Sequence, residues 1–239
     1  MNARDALAGL RRLGVAVVET ADAAAALGQS TSAASKMLSR LAASGLVTQV
    51  RHGMWWLDAE VDPYRLAEHL TAPFPIYLSL QTALHLRGMV EQIPTVFYAV
   101  SLARTQKIVT PFGTYSVHHV APELFGGFDH TREGVKLATP EKALFDVAYL
   151  SGGRSRYFTS LTELELPRGF RWQELRRWLD RIPSARRRIF VVRRLGRLLA
   201  GPGRSVSLPR WFRETAPRST THGRGRREGA FAAAETRSK

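Results

Sequence analysis

Cysteine is absent from the 239 residues, which excludes a disulfide framework, a thiolate zinc site and a cysteine nucleophile together. Long apolar runs are absent too: no window approaches the ~18 consecutive apolar residues that a membrane-spanning helix needs. The opening MNARDALAGL has no apolar stretch between a basic end and a small-residue cleavage site, so no secretory signal is expected. Acidic residues are scarce, 20 Asp and Glu against 35 Lys and Arg, for a formal net charge of +15. Apolar residues make up 44% and aromatics 9%, too many for a wholly disordered chain. These features predict a folded, non-membrane protein of the cytoplasm, in association with the nucleoid if its partner is DNA. At roughly 100–200 residues per domain, its length suits two modest domains or one large one.

The charge is unevenly placed. Residues 1–60 sum to +1, residues 61–150 to −1, and residues 151–239 carry the whole excess of +15. Attraction to polyanions by net charge therefore belongs to the last third. Any nucleic-acid reading of the first 60 residues must rest on pattern.

That pattern is informative. Ala3–Leu13 reads as a short helix with Ala6, Leu7 and Leu10 on one side, and Val15–Val18 as a short strand. Thr20 is placed to cap a second helix, Ala21–Leu27, which ends at Gly28. After the turn Gly28-Gln29-Ser30, a third helix runs to about Ala43, capped by Ser30 or Thr31. On its wheel Ala34, Met37, Leu38 and Leu41 share one side, while Ser32, Ser35, Lys36, Ser39 and Arg40 share the other. Small hydroxyl side chains let a helix backbone approach a groove, where Lys36 and Arg40 can reach phosphates or guanine edges. Leu46–Val50 and Met54–Leu57 then flank Arg51-His52-Gly53 as a hairpin with a basic tip. Three helices followed by a hairpin is the order of a winged helix-turn-helix, with Arg51 and His52 as wing contacts. Because alternate hairpin residues face opposite ways, at least one of Trp55 and Trp56 is expected in a core or domain interface.

Prolines at 63, 73 and 75, around a short helix-like stretch Tyr64–Leu70, mark residues 61–75 as a linker and domain boundary. Beyond it, Ser79 is placed to cap a helix Leu80–Arg87, and Thr95–Ser101 alternates as a strand. Lys107–Thr110 and Thr114–Val120 form a second hairpin around Pro111-Phe112-Gly113. Val135–Ala138 is strand-like, and Thr139 caps a helix opening with Pro140 and Glu141, whose buried face includes Leu144, Val147 and Ala148. The polar residues here are His85, His118, His119, Glu123, Asp129, His130, Glu133, Glu141 and Asp146. Adjacent His118 and His119 on a strand point apart, and no HExxH, GxSxG or phosphate-loop pattern occurs. The chain reads as non-enzymatic, with no cofactor or metal. The fold class is α+β: an N-terminal winged helix-turn-helix (1–60), the linker, and a mixed α+β domain (76–200) ending in basic helices.

The phrases SLQTALHLRG (79–88), TPFGTYSVHHV (110–120) and above all LATPEKALFDVAYL (137–150), behind that N-terminal unit, resemble the AbiEi-type antitoxins of type IV toxin–antitoxin systems. The resemblance covers about residues 5–200. It implies a bacterial transcriptional autorepressor, a monomer or weak dimer, that binds inverted repeats in the double-stranded DNA of its own promoter. It also implies a second function, opposing a cognate AbiEii-like nucleotidyltransferase toxin. Thr139, Pro140, Glu141 and Lys142 match the family phrase as fold markers rather than as a binding site.

In the basic third, Trp172, Leu175, Trp178, Leu179 and Ile182 form one helical stripe. After Pro183, Ser184 caps a helix with Val191, Val192, Leu195, Leu198 and Leu199 inward and Arg186, Arg187, Arg193, Arg194 and Arg197 opposite. Arginines so grouped repel one another unless an anion is near, so this face is a candidate surface for DNA phosphate, RNA or an acidic toxin. If the partner is DNA, affinity should fall on the order of a thousandfold between roughly 50 and 200 mM salt. Gly201–Lys239, rich in Gly, Pro, Ser, Thr and Arg, reads as a disordered tail. Two other readings stay open: a module that docks an acidic protein, and a nucleic-acid-processing enzyme.

Overall fold

The computed structural model describes residues 2–57, 60–150, 164–200 and 207–215, which form a mixed α+β fold. The first helix, α1 (Ala3–Arg11), starts at Asn2, whose side-chain carbonyl accepts from the Asp5 amide at 2.8 Å. Strand β1 (Val17–Glu19) leads into α2 (Thr20–Leu27), which stops at Gly28 with φ +60°, a left-handed position natural to glycine. Helix α3 (Thr31–Ala43) begins at Ser30, whose Oγ accepts from the Ala33 amide at 3.3 Å. Strands β2 (Thr48–Arg51) and β3 (Met54–Trp56) make a hairpin turning at Gly53, φ +79°. The order is β1-β3-β2, antiparallel throughout.

Thr20 does not cap α2. It is the first helical residue, and the cap position, Glu19, makes no side-chain cap bond. The Thr20 hydroxyl accepts from the Trp55 indole N–H at 2.9 Å and donates to the Gly53 carbonyl at 3.3 Å. A partner folded back from the hairpin has displaced the local one, and it ties the hairpin turn to the start of α2.

Residues 61–75 are themselves folded, with helical turns over the stretch that reads as helix-like. They hold α4 (Pro63–Leu66) and a 3-10 turn at Ala67–His69, and bury Leu66, Ala67 and Leu70 in the larger of two cores. The second sheet follows: β4 (Ile76–Leu78), helix α5 (Leu80–Leu86), β5 (Phe97–Ser101), β6 (Gln106–Thr110), β7 (Gly113–His119), β8 (Phe128–His130) and β9 (Lys136–Ala138). Its order is β6-β7-β5-β4-β9-β8, with β5 parallel to β7, β4 parallel to β9, and antiparallel pairs elsewhere. Four helices complete the described chain: α6 (Pro140–Leu150), α7 (Trp172–Asp180), α8 (Ala185–Leu199) and α9 (Arg210–Thr215). Helix α6 is central, with every residue from Glu141 to Ala148 buried.

Two further expectations are corrected. Ser79 precedes α5 but makes no cap bond; its hydroxyl donates 2.7 Å to Asp146 instead. The segment from Gly201 onward is not wholly disordered. Helix α9 docks through Phe212, which is fully buried, lies edge-on to Trp172 at 6.1 Å and reaches the surface of α8 at Gly196. Two adjacent aromatics gave no periodic signal, yet Phe212 finds a ready apolar seat. The rest of the tail, residues 201–206 and 216–239, lies outside the described residues.

The tryptophans show how the two cores meet. Trp55, 3% exposed, belongs to a small core with Leu10, Val18, Leu38 and Leu41. Trp56, 1% exposed, belongs with Met54 and Val50 to the large core under the second sheet. Alternation along β3 sends its side chains to both faces, so the hairpin is buried on each and joins the cores. Truncating either ring would cost about 3–5 kcal/mol.

Candidate nucleic-acid interface

The first surface is built by α3 and the hairpin tip. Ala34, Met37, Leu38 and Leu41 are buried, which fixes the helix phase and turns the other side to water. There Ser32, Lys36, Ser39 and Arg40 are exposed and Ser35 is half-buried. Lys36 and Arg40 stand one turn apart, ~6 Å along the axis. At the tip, Arg51 and His52 are exposed. Among the described residues, none of Lys36, Arg40 and Arg51 has a carboxylate partner. A helix of ~10–12 Å diameter matches the ~12 Å width of the major groove, and a face of short hydroxyls leaves its backbone free to approach.

The second surface is α8, where the structure divides the five arginines. Arg186, Arg193 and Arg197 are exposed. Arg187 is not part of the outward face: it donates to the Tyr149 carbonyl at 2.7 Å and lies 4.8 Å over the Tyr149 ring. It precedes buried Val191 by one turn and so falls on the inward side. Arg194 is half-buried, and burial, then the nearby Arg197, hold its pKa below the usual arginine value. Between the cations sit two exposed apolar residues that the charge pattern concealed, Ile189 at 43% and Phe190 at 41%. A wheel of 186, 189, 190, 193 and 197 would have put them on the same side.

A third constellation is sealed. Lys142 and Asp146, one turn apart on α6, form an ion pair with no exposure at either side chain. Asp146 also accepts from the Tyr77 hydroxyl at 3.0 Å and the Ser79 hydroxyl at 2.7 Å. The Lys142 ammonium lies 4.6, 4.9 and 5.6 Å from the ring centres of Trp178, Phe145 and Tyr77. Burial lowers the lysine pKa, raises that of Asp146 and pushes that of Tyr77 well up. Gly127, φ +72°, covers this cluster so closely that a Cβ there would stand 2.6 Å from Trp178 and 3.0 Å from Lys142 Cγ. The cluster fastens α6 to β4 and α7. Sequence reasoning took Lys142 only as a fold marker. The available signal was that the apolar residues between Ala143 and Leu150 spread around the whole helix wheel, interleaved with the charged ones, rather than keeping to one stripe.

The remaining polar residues disperse. Asp129 pairs with Arg87 at 2.9 Å, and Glu141 is buried, accepting from the Arg171 amide at 2.6 Å. His118 Nε2 meets the Ser116 hydroxyl at 3.0 Å, whereas exposed His119 turns Nδ1 to the Leu102 and Ala103 carbonyls, each at 3.2 Å. Among the described residues no three of His, Cys, Asp or Glu are grouped to hold a metal ion, and no helix is long and apolar enough to cross a membrane. No family model matches the chain, and a search of curated proteins finds no relative.

Proposed function

We propose that this chain is a sequence-specific DNA-binding autorepressor that also serves as the antitoxin of a type IV toxin–antitoxin pair. In this reading α1–α3 and the β2–β3 hairpin act as a winged helix-turn-helix. Helix α3 enters the major groove, Ser32, Ser35, Lys36, Ser39 and Arg40 supply groove and phosphate contacts, and Arg51 and His52 touch the backbone from the wing. The observation that carries the reading is the outward serine-and-cation side of α3, whose cations have no carboxylate partner among the described residues, opposite a fully buried apolar side. The antitoxin half rests on the phrases at 79–88, 110–120 and 137–150, and its partner is a nucleotidyltransferase-like toxin. The outward arginines of α8 form the second anion-binding surface.

The test is a gel shift on the DNA upstream of the chain's own reading frame. Lys36→Ala with Arg40→Ala should abolish the specific shift and leave the circular dichroism spectrum unchanged, because both side chains are exposed. Removing a bidentate base contact costs ~1–3 kcal/mol. An unchanged shift removes α3 as the reading element. The exposed apolar pair on α8 favours a second role, protein docking.

A further inference from the structure

We propose that the outward side of α8 docks an acidic protein surface with an apolar centre, Ile189 and Phe190 filling the middle and Arg186, Arg193 and Arg197 gripping its carboxylates. The inference rests on the two-surface reading above and narrows the partner of the second surface from any polyanion to a protein.

Four observations carry it. Helix α8 buries its other stripe completely, so Ile189 and Phe190 are held outward by a fixed phase rather than by chance. The three exposed arginines have no carboxylate partner among the described residues, whereas the neighbouring α7 matches Arg176 to Asp180 at 3.9 Å, and Arg171 just before it pairs with Glu174 at 2.6 Å. From Arg186 to Arg197 the stripe runs cation, apolar pair, cation, cation over ~16 Å, about three turns of a helix. Finally, the chain offers no acidic segment to cover it: 151–163, 201–206 and 216–239 each hold more Arg and Lys than Asp and Glu, and a second copy brings +15 of the same sign.

Phosphodiester backbones would satisfy the arginines but leave Ile189 and Phe190 facing charge. Aromatic and arginine side chains around an apolar centre are instead what protein interfaces concentrate at their energetic core. The complementary surface is an amphipathic element, leucine-like side chains along one stripe with glutamates or aspartates one turn to either side.

The full-length protein is titrated with a fluorescein-labelled, ~18-residue helical peptide carrying one leucine stripe flanked by glutamates. A matched peptide of equal charge has every leucine changed to serine, and an unrelated duplex DNA serves as the nucleic-acid probe. The leucine peptide should bind about tenfold or more tightly than its serine counterpart. Ile189→Ser with Phe190→Ser should erase that difference and leave duplex binding unchanged. On the unaltered protein, amide exchange should slow over residues 185–199 when the leucine peptide is added, a readout that depends on no variant folding. Equal binding of both peptides, protection elsewhere, or duplex binding that weakens with the double variant each overturns the proposal; the last assigns the face to nucleic acid. The promoter shift is read separately. A shift that survives without an α8 footprint overturns only this inference, and a footprint without a specific shift overturns only the repressor reading.

Discussion

Replacing Lys142 with Met tests the sealed cluster most directly, because methionine keeps the alkyl chain beneath Trp178 and Phe145 and removes only the charge. Asp146, fully buried, would retain the Tyr77 and Ser79 hydroxyls as donors and lose its counter-ion. Breaking a buried pair from one side costs about 3–5 kcal/mol, since an uncompensated carboxylate stays behind. Adding Asp146→Asn should recover much of that loss: an amide oxygen still accepts from Tyr77 and Ser79 without a charge to bury. The double variant should therefore lose only about 1–2 kcal/mol, far less than the sum of the single losses. Urea unfolding at pH 7, followed by tryptophan emission and by circular dichroism, gives each value. The single variant also carries a pH signature. Burial raises the Asp146 pKa above 3.8 in the folded protein against the opposing charge and hydrogen bond of Lys142, so removing Lys142 raises it further and the folded variant takes up this proton more readily than wild type does. The deficit relative to wild type should then shrink as pH falls from 7 towards 4 and grow as pH rises through the folded value. A Lys142→Met loss below about 1 kcal/mol, or single losses that simply add in the double variant, would refute the cluster as a coupled unit.

Burial depresses the pKa of both His69 and His118 below 6.5, so the unfolded chain takes up their protons first and wild-type stability should fall as pH drops beneath 6.5; His69→Gln with His118→Gln should flatten that slope, whose ceiling for two protons is about 2.7 kcal/mol per pH unit. Salt separates the two cationic surfaces: with Lys36, Arg40 and Arg51 as the phosphate contacts, promoter affinity should fall about 40-fold between 50 and 200 mM salt by filter binding, whereas a fall beyond about a thousandfold would mean that the three α8 arginines also lie on the DNA.

What could be read from the residues, and what could not, follows from where the signal is stored. Helix α3 was legible because its burial is one-sided: Ala34, Met37, Leu38 and Leu41 recur at helical spacing with nothing apolar opposite. The hairpin and the α7 and α8 stripes were legible for the same reason, and Trp55 and Trp56 declared their opposite faces through strand alternation. Thr20, Ser79 and Phe212 were misread because each is governed by a partner 35, 67 or 40 residues away, Trp55, Asp146 and Trp172 respectively, where local chemistry offered a cap or a loop. Lys142 and Asp146 were concealed by their charge, since the ordinary place for both is the surface. Arg187 was counted with its neighbours because a cluster of like residues hides the helical phase.

The DNA-reading role proposed for the N-terminal unit has to be reconciled with its nearly neutral net charge. Residues 1–60 sum to +1, so long-range attraction contributes little there and discrimination must come from the fixed placement of a few side chains. That placement has an identifiable source. The Arg51-His52 tip is bound to α2 through Thr20, and the strand beneath it is buried on both faces, by Trp55 in the small core and by Met54 and Trp56 in the large one. Side chains on a doubly packed strand hold their positions because any shift opens a void in one core or overfills the other. The hairpin tip and α3 therefore keep a set spacing. Two elements kept at a set spacing can tell a matching groove from a mismatched one without help from bulk charge.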